Sequence, residues 1–460
     1  MTIALSDINR HLAQVARKRG VLSAAMDKAF SDRLDWIALN VFILYLLTLI
    51  FESPMRYALN AVGLVGLVYL RDVALIAVSL TYVVRKVLKG DIPNEFLCFS
   101  GILVCHFIIS LFFIKNPSQS LFAAKLWLPF FFGLIVSETV SPKLGKLKFI
   151  ILFAWILLCI SIFINYYTKF PWEGLSYDIG GIAVQGNREW TAGQGIRRIA
   201  GTTRSSIEAA ILLLVCMTFF LAYFRSILLK TVLFILTLIA VMITTTKSAI
   251  LAFLLIFVYF HLFLNKNQYG TVARICQLAV YLVLIGLPIY AVIFEVHDFY
   301  MNFVQKLLFS SFMDRMQNTW PVALELVEKK GNIFLGRGLG GIGISQSNFG
   351  ESFFFNPADN LLVYLYVSFG IFGLVYLTAF LILLMNQPKT LKNETRFHIT
   401  AITGIMAIGF AMNCIENAAC SIFLGMAFSH FARNYFSKPK SRITLNRNLA
   451  STEQRLMQNK

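Results

Sequence analysis

Residues 297–360 read HDFYMNFVQKLLFSSFMDRMQNTWPVALELVEKKGNIFLGRGLGGIGISQSNFGESFFFNPADN. This is a polar stretch in a chain otherwise built of apolar runs. It carries His297, Asp298, Asp314, Arg315, Glu325, Glu328, Lys329, Lys330, Arg337, Glu351 and Asp359, and a glycine cluster from Gly336 to Gly343. Ile275–Phe294 precedes it and Leu361–Leu384 follows it, both apolar. Connections of this length are usually functional or disordered. The helix-like piece Trp320–Lys330 and the run Phe353-Phe354-Phe355 argue for order. The stretch therefore reads as a structured lid over a site at a membrane surface.

The surroundings fix the class. The chain has 460 residues, 58% of them hydrophobic, with mean hydropathy +0.70 and only 14% charged. A soluble domain carries nearer a quarter charged residues. Only helices and closed barrels satisfy the backbone in lipid, and the apolar runs lack the alternation of a barrel strand. The expected fold is an all-α polytopic integral membrane protein with about twelve transmembrane helices. The spans are Leu34–Phe51, one within Ala61–Val84, Phe96–Ile114, Leu121–Val140, Phe149–Tyr166, Ile207–Phe224, Thr231–Ile243, Ala249–Phe263, Ile275–Phe294, Leu361–Leu384, Ile399–Met412 and Ala418–Phe431. Arg71-Asp72 interrupts the second. We read Tyr57–Leu70 as an interfacial segment followed by a shorter span, in preference to one helix with a buried pair.

The net charge of +18 is first a topology signal. With the N-terminus inside, every inner connection is basic, and inner loops and tails hold 26 of the 41 Lys and Arg, as the positive-inside rule requires. Residues 1–33 are then a cytoplasmic segment, either interfacial or a solvated tail. Residues 34–435 are the membrane domain, with a large periplasmic loop at 297–358, and 436–460 are a cytoplasmic tail. The outer face receives Thr168–Thr203, Thr244–Ser248 and the large loop. The seven cysteines lie in or beside apolar runs with no metal-ligand spacing, so neither a disulfide framework nor a zinc site is indicated. No removable signal peptide is visible, and no two-halves repeat of the transporter kind.

Several cations fall on the outer segments, against the topology bias. Arg197-Arg198 precede Ala200-Gly201-Thr202-Thr203-Arg204, Lys247 is squeezed between two spans, and Arg315 and Arg337 lie in the large loop. Charge at membrane depth must be paired or face water. A lipid-linked diphosphate would compensate Arg198, Arg204, Lys247, Arg315 and Arg337, since guanidinium grips phosphate oxygens as a fork. The plain alternatives are interface anchoring for Arg197 and Arg204, snorkelling for Lys247, a surface pair with Asp314 for Arg315, and a solvated turn for Arg337. Gly336-x-Gly338-x-x-Gly341 is no nucleotide fingerprint, because no strand precedes it. It reads as a tight turn after a helix capped by Gly331. Asp359-Asn360 opens a span, where at least one of them caps the helix. A carboxylate there can also take a proton from a sugar hydroxyl, though the helix dipole and a nearby arginine are expected to depress its pKa. His297 could serve the same purpose.

The order of these pieces resembles the O-antigen polymerase and O-antigen ligase superfamily of bacterial inner-membrane proteins. Arg198-x-x-Gly201-Thr202, Thr246-Lys247-Ser248-Ala249, Arg315 with Trp320 and Ala323, Phe334–Gly340, and Asn360-Leu361-x-x-Tyr364-Leu365 through Leu374 carry the resemblance, which covers roughly Arg197–Phe380. Lys247 stands where arginine is usual. Asp359-Asn360 stands where ligases carry His-Asn, and looks more like the polymerases. The resemblance implies a GT-C-like glycosyltransferase in the inner membrane. Its donor and acceptor would be polyprenyl-diphosphate-linked oligosaccharides, with no metal, cofactor or nucleic acid. A chain-length regulator and a flippase are candidate partners. Asp359 and Arg315 are the expected catalytic residues. A ligase acting on lipid A core and a multi-pass transporter of anionic solutes or lipid-linked sugars are the alternatives.

The topology is directly testable. Reporter fusions placed after Lys266 and after Gly331 are expected to report opposite sides of the membrane. Identical readings would overturn the assignment.

Overall fold

The computed structural model describes residues 27–90, 92–179, 182–188, 191–192, 196–265, 269–294, 303–349 and 355–436. His297, Asp298, Glu351, Phe353 and Phe354 lie outside them, as do most of the N-terminal segment and nearly all of the C-terminal tail.

The chain is mostly helical, as expected. α1 (Asp27–Ile50) is followed by a short α2 (Glu52–Ala61), a 3-10 turn (Val65–Tyr69) and α3 (Leu70–Lys89). Tyr57–Leu70 thus falls in α2, the 3-10 turn and the first residue of α3, and the 3-10 turn runs on into α3 as one 25-residue helical stretch, Val65–Lys89. Arg71 and Asp72 fall in the first turn of α3, where Arg71 pairs with Glu52 at 2.7 Å and Asp72 with Lys125 at 3.0 Å. α4 (Asn94–Phe113), α5 (Pro117–Leu126), α6 (Leu128–Val140) and α7 (Lys148–Tyr167) follow. The expected span Leu121–Val140 is thus two helices, broken just before Pro129. Then come α8 (Ser206–Tyr223), α9 (Ile227–Ile243), α10 (Lys247–Tyr259) and α11 (Thr271–Ile293).

Between α7 and α8 the polar segment is not helical. It forms two small antiparallel hairpins, β1 (Ser176–Ile179) with β2 (Ile182–Gln185) and β3 (Thr191–Ala192) with β4 (Ile196–Arg197). The sequence of this segment carries no apolar stripe to bury as a helix.

Seven helical runs among the described residues are long and apolar enough to cross a membrane, and Ile227–Ile243 and Ile371–Met385 are shorter apolar helices. The expected dozen is not reached on these criteria. One reason is that Leu361–Leu384 is two helices, α15 (Leu361–Phe369) and α16 (Ile371–Met385), broken at Gly370 with φ +60°. Another is that α17 (Asn393–Gly409) has only 17 residues and carries Glu394, Arg396 and His398. α18 (Ala418–Phe436) ends the described chain. α8 is apolar on all sides and almost wholly buried, as such a helix must be when other helices surround it. α6 and α18 meet backbone to backbone. A Cβ at Gly133 would lie 2.1 Å from Ile422 O, and one at Gly425 2.0 Å from Phe130 O, the close approach that small residues permit in lipid.

The large loop opens as α12 (Phe303–Asp314), runs through a π-helical turn (Arg315–Thr319) into α13 (Trp320–Lys330), and later forms the short α14 (Ile344–Asn348). Gly331 ends α13 in an extended conformation, not the left-handed cap expected. The turn Asn332–Gly336 follows. Residues 337–343 are then buried, so this part of the loop is a wedge in the bundle and not a cover over it. Backbone N–H groups of Arg337 and Gly338 donate to Val367 O (2.7 Å) and Ser368 O (3.0 Å), Leu339 N–H donates to His106 O (3.2 Å), and Ile371 N–H donates to Ile333 O (2.9 Å). The carbonyls freed by the break at Gly370 are satisfied in this way.

Gly338 has φ +81°, and a Cβ there would lie 2.3 Å from Ser110 N and 2.6 Å from His106 O. Gly338→Ala should lower stability by about 1–3 kcal/mol, read as a fall in thermal midpoint in detergent. Gly286→Ala, which faces open space on α11, should leave the midpoint unchanged or slightly raised.

Candidate functional site

Four segments far apart in sequence converge at one end of the bundle. The first is the connection from β4 to α8. Gly201, at φ +63°, lets this chain lie on α7, where a Cβ would sit 2.5 Å from Ser161 Oγ. Gly201 N–H donates to Asn165 Oδ1 (3.1 Å), Ser53 N–H to Thr202 O (3.1 Å), and Ser53 Oγ–H to Thr203 O (2.8 Å). Arg197 donates to Glu173 Oε1 at 2.6 Å and to Asn165 O at 3.0 Å. It therefore anchors the loop, and the rivets on either side hold Arg198 between them.

The second segment is the turn Thr244–Thr246, which passes through Thr245 at φ +57° and starts α10 with Lys247. A cation at a helix N-terminus is opposed by the helix dipole by about 0.3–1 kcal/mol, so the position favours an anion nearby. The third is the π-helical turn that begins at Arg315. Such turns interrupt helices mostly at functional sites. Arg315 Nη1 donates to Ser311 O (2.9 Å) and Ser311 Oγ (2.7 Å), and Nε to Asp359 Oδ2 (3.1 Å).

The fourth segment carries Asp359 itself. Asn360, not Asp359, caps α15, accepting from the backbone N–H of Leu362 (2.7 Å) and Val363 (3.2 Å). Its Nδ2 donates to Leu284 O and Phe410 O, both at 3.2 Å, and so ties the middle of α11 and the C-terminal end of α17 to the start of α15. Asn356 Nδ2 donates to Thr319 O (2.7 Å), Trp320 Nε1 donates to Asp359 O (3.3 Å), and Ala358 is held at φ +48°. Asp359 is fixed by its neighbours, and its side chain is left for Arg315.

The expected residues divide. Arg198, Lys247, Arg315 and Asp359 come together: the charges of Arg315 and Asp359 act on Arg198, and those of Arg198 and Arg315 act on Lys247. Arg204 is in a separate buried cluster with Glu52, Arg56, Arg188 and Glu208, and its Nε donates to Gln185 O at 3.1 Å. In that cluster Arg56 Nε donates to Glu52 Oε1 at 2.8 Å and Arg56 pairs with Tyr177, which binds the β1–β2 hairpin to α2. Arg337 is 1% exposed and donates to Gly341 O at 2.5 Å, so it folds the glycine wedge rather than turning in solvent. Glu52 and Glu208 drew no attention in the sequence. Their acidity at the ends of apolar runs is the signal that could have found them.

The charge state of Asp359 also departs from expectation. Burial raises its pKa above the ordinary aspartate value, and Arg315 and Arg198 do not pull it back. Burial and the charge of Arg315 lower that of Arg198. The Arg315 and Asp359 side chains are 19% and 31% exposed, so the pair remains open to a ligand. The arrangement offers three cations to an anion, with a carboxylate of raised basicity beside them.

Mutation can separate the two neighbours at the head of α15. Asn360→Ala should cost about 1–3 kcal/mol, because buried carbonyls and helix N–H groups lose their partners. Asp359→Asn should unfold at nearly the wild-type temperature. Thermal denaturation of the two purified variants checks this.

Residues 232–378 match the model of a family described as O-antigen ligase. The matched stretch includes Lys247, Arg315, Arg337 and Asp359 and stops short of Arg198 and Arg204. No curated protein and no solved structure matches the chain.

Proposed function

We propose that this chain, of which residues 232–378 match the family described as O-antigen ligase, is a polysaccharide polymerase of the bacterial inner membrane. It would join polyprenyl-diphosphate-linked oligosaccharide repeat units at the periplasmic face, for O-antigen, capsule or exopolysaccharide. The observation that carries the reading is the convergence of Arg198, Lys247 and Arg315 on Asp359.

Arg198, Lys247 and Arg315 bring three positive charges together beside Asp359. A diphosphate esterified at both ends carries two negative charges, one on each phosphorus. Arg198, Lys247 and Arg315 would hold it. The acceptor hydroxyl oxygen attacks the anomeric carbon, the bond from that carbon to the diphosphate oxygen breaks, and the diphosphate leaves with the electron pair. The hydroxyl proton passes to the Asp359 carboxylate. The leaving group gains a further negative charge in this step, and preorganised cations stabilise that charge as it develops. Holding two lipid-linked substrates side by side supplies the proximity. The helical part of the large loop meets Asp359 through Arg315 and Trp320 and would flank the sugars.

Arg198→Ala, Lys247→Ala and Arg315→Ala should each remove charge-assisted bonds worth about 1.5–3 kcal/mol. The expected loss of polymer is on the order of 10- to 100-fold, with normal insertion, in a ladder assay with lipid-linked repeat units. Near-normal ladders would reduce these residues to interface anchors. The family description favours a second reading, transfer of glycan to lipid A core. If product forms only when that acceptor is supplied, the chain is a ligase.

The pH profile gives an independent check. The carboxylate of Asp359 is the active form, and burial raises its pKa, so activity should fall on acidification at a pH above the ordinary aspartate range. The Asp314 charge helps to raise it. Asp314→Asn should therefore move the acid limb of kcat/KM to lower pH, and an upward shift would contradict the assignment.

A further inference from the structure

At the other end of α17, a second group of side chains has no part in glycosyl transfer. Glu394 and His398 stand four residues apart on α17, on one face of the helix, and His430 of α18 faces them. Their candidate ligand atoms all lie within 4.8 Å of one another. The position is roughly 20 Å along α17 from the end that Asn360 holds.

We propose that Glu394, His398 and His430 bind one divalent transition-metal ion of the zinc class, which joins α17 to α18. Glu394 Oε1 and His430 Nδ1 are 3.0 Å apart, close to the roughly 3.3 Å between two ligands on a tetrahedral zinc. His398 is fully buried, and its Nδ1 has no hydrogen-bond partner. A buried nitrogen left in this way is costly in a helical bundle, and a cation shared with Glu394 and His430 supplies the missing partner. The remote nitrogens are already oriented. His398 Nε2 lies 2.9 Å from Ser141 Oγ, and His430 Nε2 lies 3.0 Å from Thr395 Oγ1. With the protons on Nε2, both hydroxyls accept and both Nδ1 lone pairs are free for the metal, the arrangement that metal-bound histidines adopt, and the Asn434 amide, whose Nδ2 lies 3.1 Å from His430 Nε2, turns away on metal binding.

The metal-free alternative has His430 Nδ1–H donating to Glu394 and Nε2 accepting from Asn434 Nδ2 at 3.1 Å. That relay is complete in itself and leaves His398 Nδ1 orphaned. Arg433 is a nearby cation, and its guanidinium donates to Ser137 Oγ (3.1 Å) and Ser429 O (3.3 Å). Its charge weakens metal binding, and the Glu394 carboxylate opposes that effect. Nitrogen and carboxylate donors suit zinc, cobalt and nickel better than magnesium or calcium. Three protein ligands leave a position for water. Cysteine spacing carries no hint of this site. The usable signal was Glu394-x-x-x-His398 opening an apolar run, and the fold was needed to bring His430 to it.

The test uses the full-length protein in detergent, stripped with a chelator and titrated with cobalt(II). Wild type and His261→Ala, whose histidine is outside the cluster, should bind one equivalent saturably and show visible ligand-field bands and a raised thermal midpoint. His398→Ala and His430→Ala should lose the saturable site while eluting as the same monodisperse species. His398→Cys should retain it and add a thiolate-to-cobalt charge-transfer band, a signature that no folding defect can produce. Absence of saturable binding in the wild type would overturn the proposal, as would unchanged spectra in both the His398→Ala and His398→Cys proteins.

Discussion

A helix interrupted inside lipid exposes carbonyls that water cannot reach, and each must find a donor within the protein. The break at Gly370 sets this constraint, and the backbone of Arg337 and Gly338 meets it at Val367 O and Ser368 O. The donors must approach closely enough that a side chain on the wedge would collide. A Cβ at Gly336 would lie 2.6 Å from Gly370 N, and one at Gly370 2.3 Å from Phe334 O. Two glycines on different segments are therefore one device, and each makes room for the other's backbone. The wedge fixes the C-terminal end of α15, while Asn360 fixes its N-terminal end against α11 and α17. With both ends pinned, Asp359 has a defined place beside Arg315.

This division explains why two arginines that look alike in the sequence have different work. Arg337 sits within the wedge and spends its hydrogen bonding on Gly341 O. Arg315 begins a helical turn of irregular pitch, donates to Ser311 and Asp359, and keeps part of its surface open. Arg204 differs again. It lies in a buried network in which Glu52 and Glu208 attract its charge while Arg188 and Arg56 oppose it. At the other cluster Arg315 pairs with Asp359, and Arg198 feels the charges of both.

Much of this was legible in the sequence because the decisive features are local. Apolar runs locate the helices, the paired charges of Arg71-Asp72 mark the first turn of α3, and the positions of Arg198, Lys247, Arg315 and Asp359 mark a polar end. What was not legible depends on packing. A uniformly apolar run such as Leu361–Leu384 contains no sign that Gly370 is a break rather than a tolerated residue, since that depends on the loop that inserts there. The burial of Arg337 has the same cause. The hydrogen bond that makes Asn360 the cap was left open between two adjacent polar residues, both good caps. The rise in the pKa of Asp359 went the other way from expectation because the dipole and arginine effects were foreseen and the depth of burial was not.

That raised pKa also bears on how the proposed site would work in time. With the site empty, Arg315 and Arg198 draw the Asp359 pKa down and burial drives it up, with burial prevailing. On the proposed reading, an incoming diphosphate neutralises the field of those arginines and adds negative charge close to the carboxylate. Both changes disfavour the ionised form and raise its pKa further. The base would therefore be strongest when the donor is in place, and weaker once the polyprenyl diphosphate has gone and the arginines again act on it, which helps it release the proton it took. A histidine at this position would respond differently. An anion beside it stabilises the imidazolium, and so also strengthens the base, but a neutral imidazole brings no negative charge to Arg315 before the donor arrives. Aspartate lowers that resting charge by one unit and ties Arg315 in place, so the empty site is less costly to keep at the membrane surface.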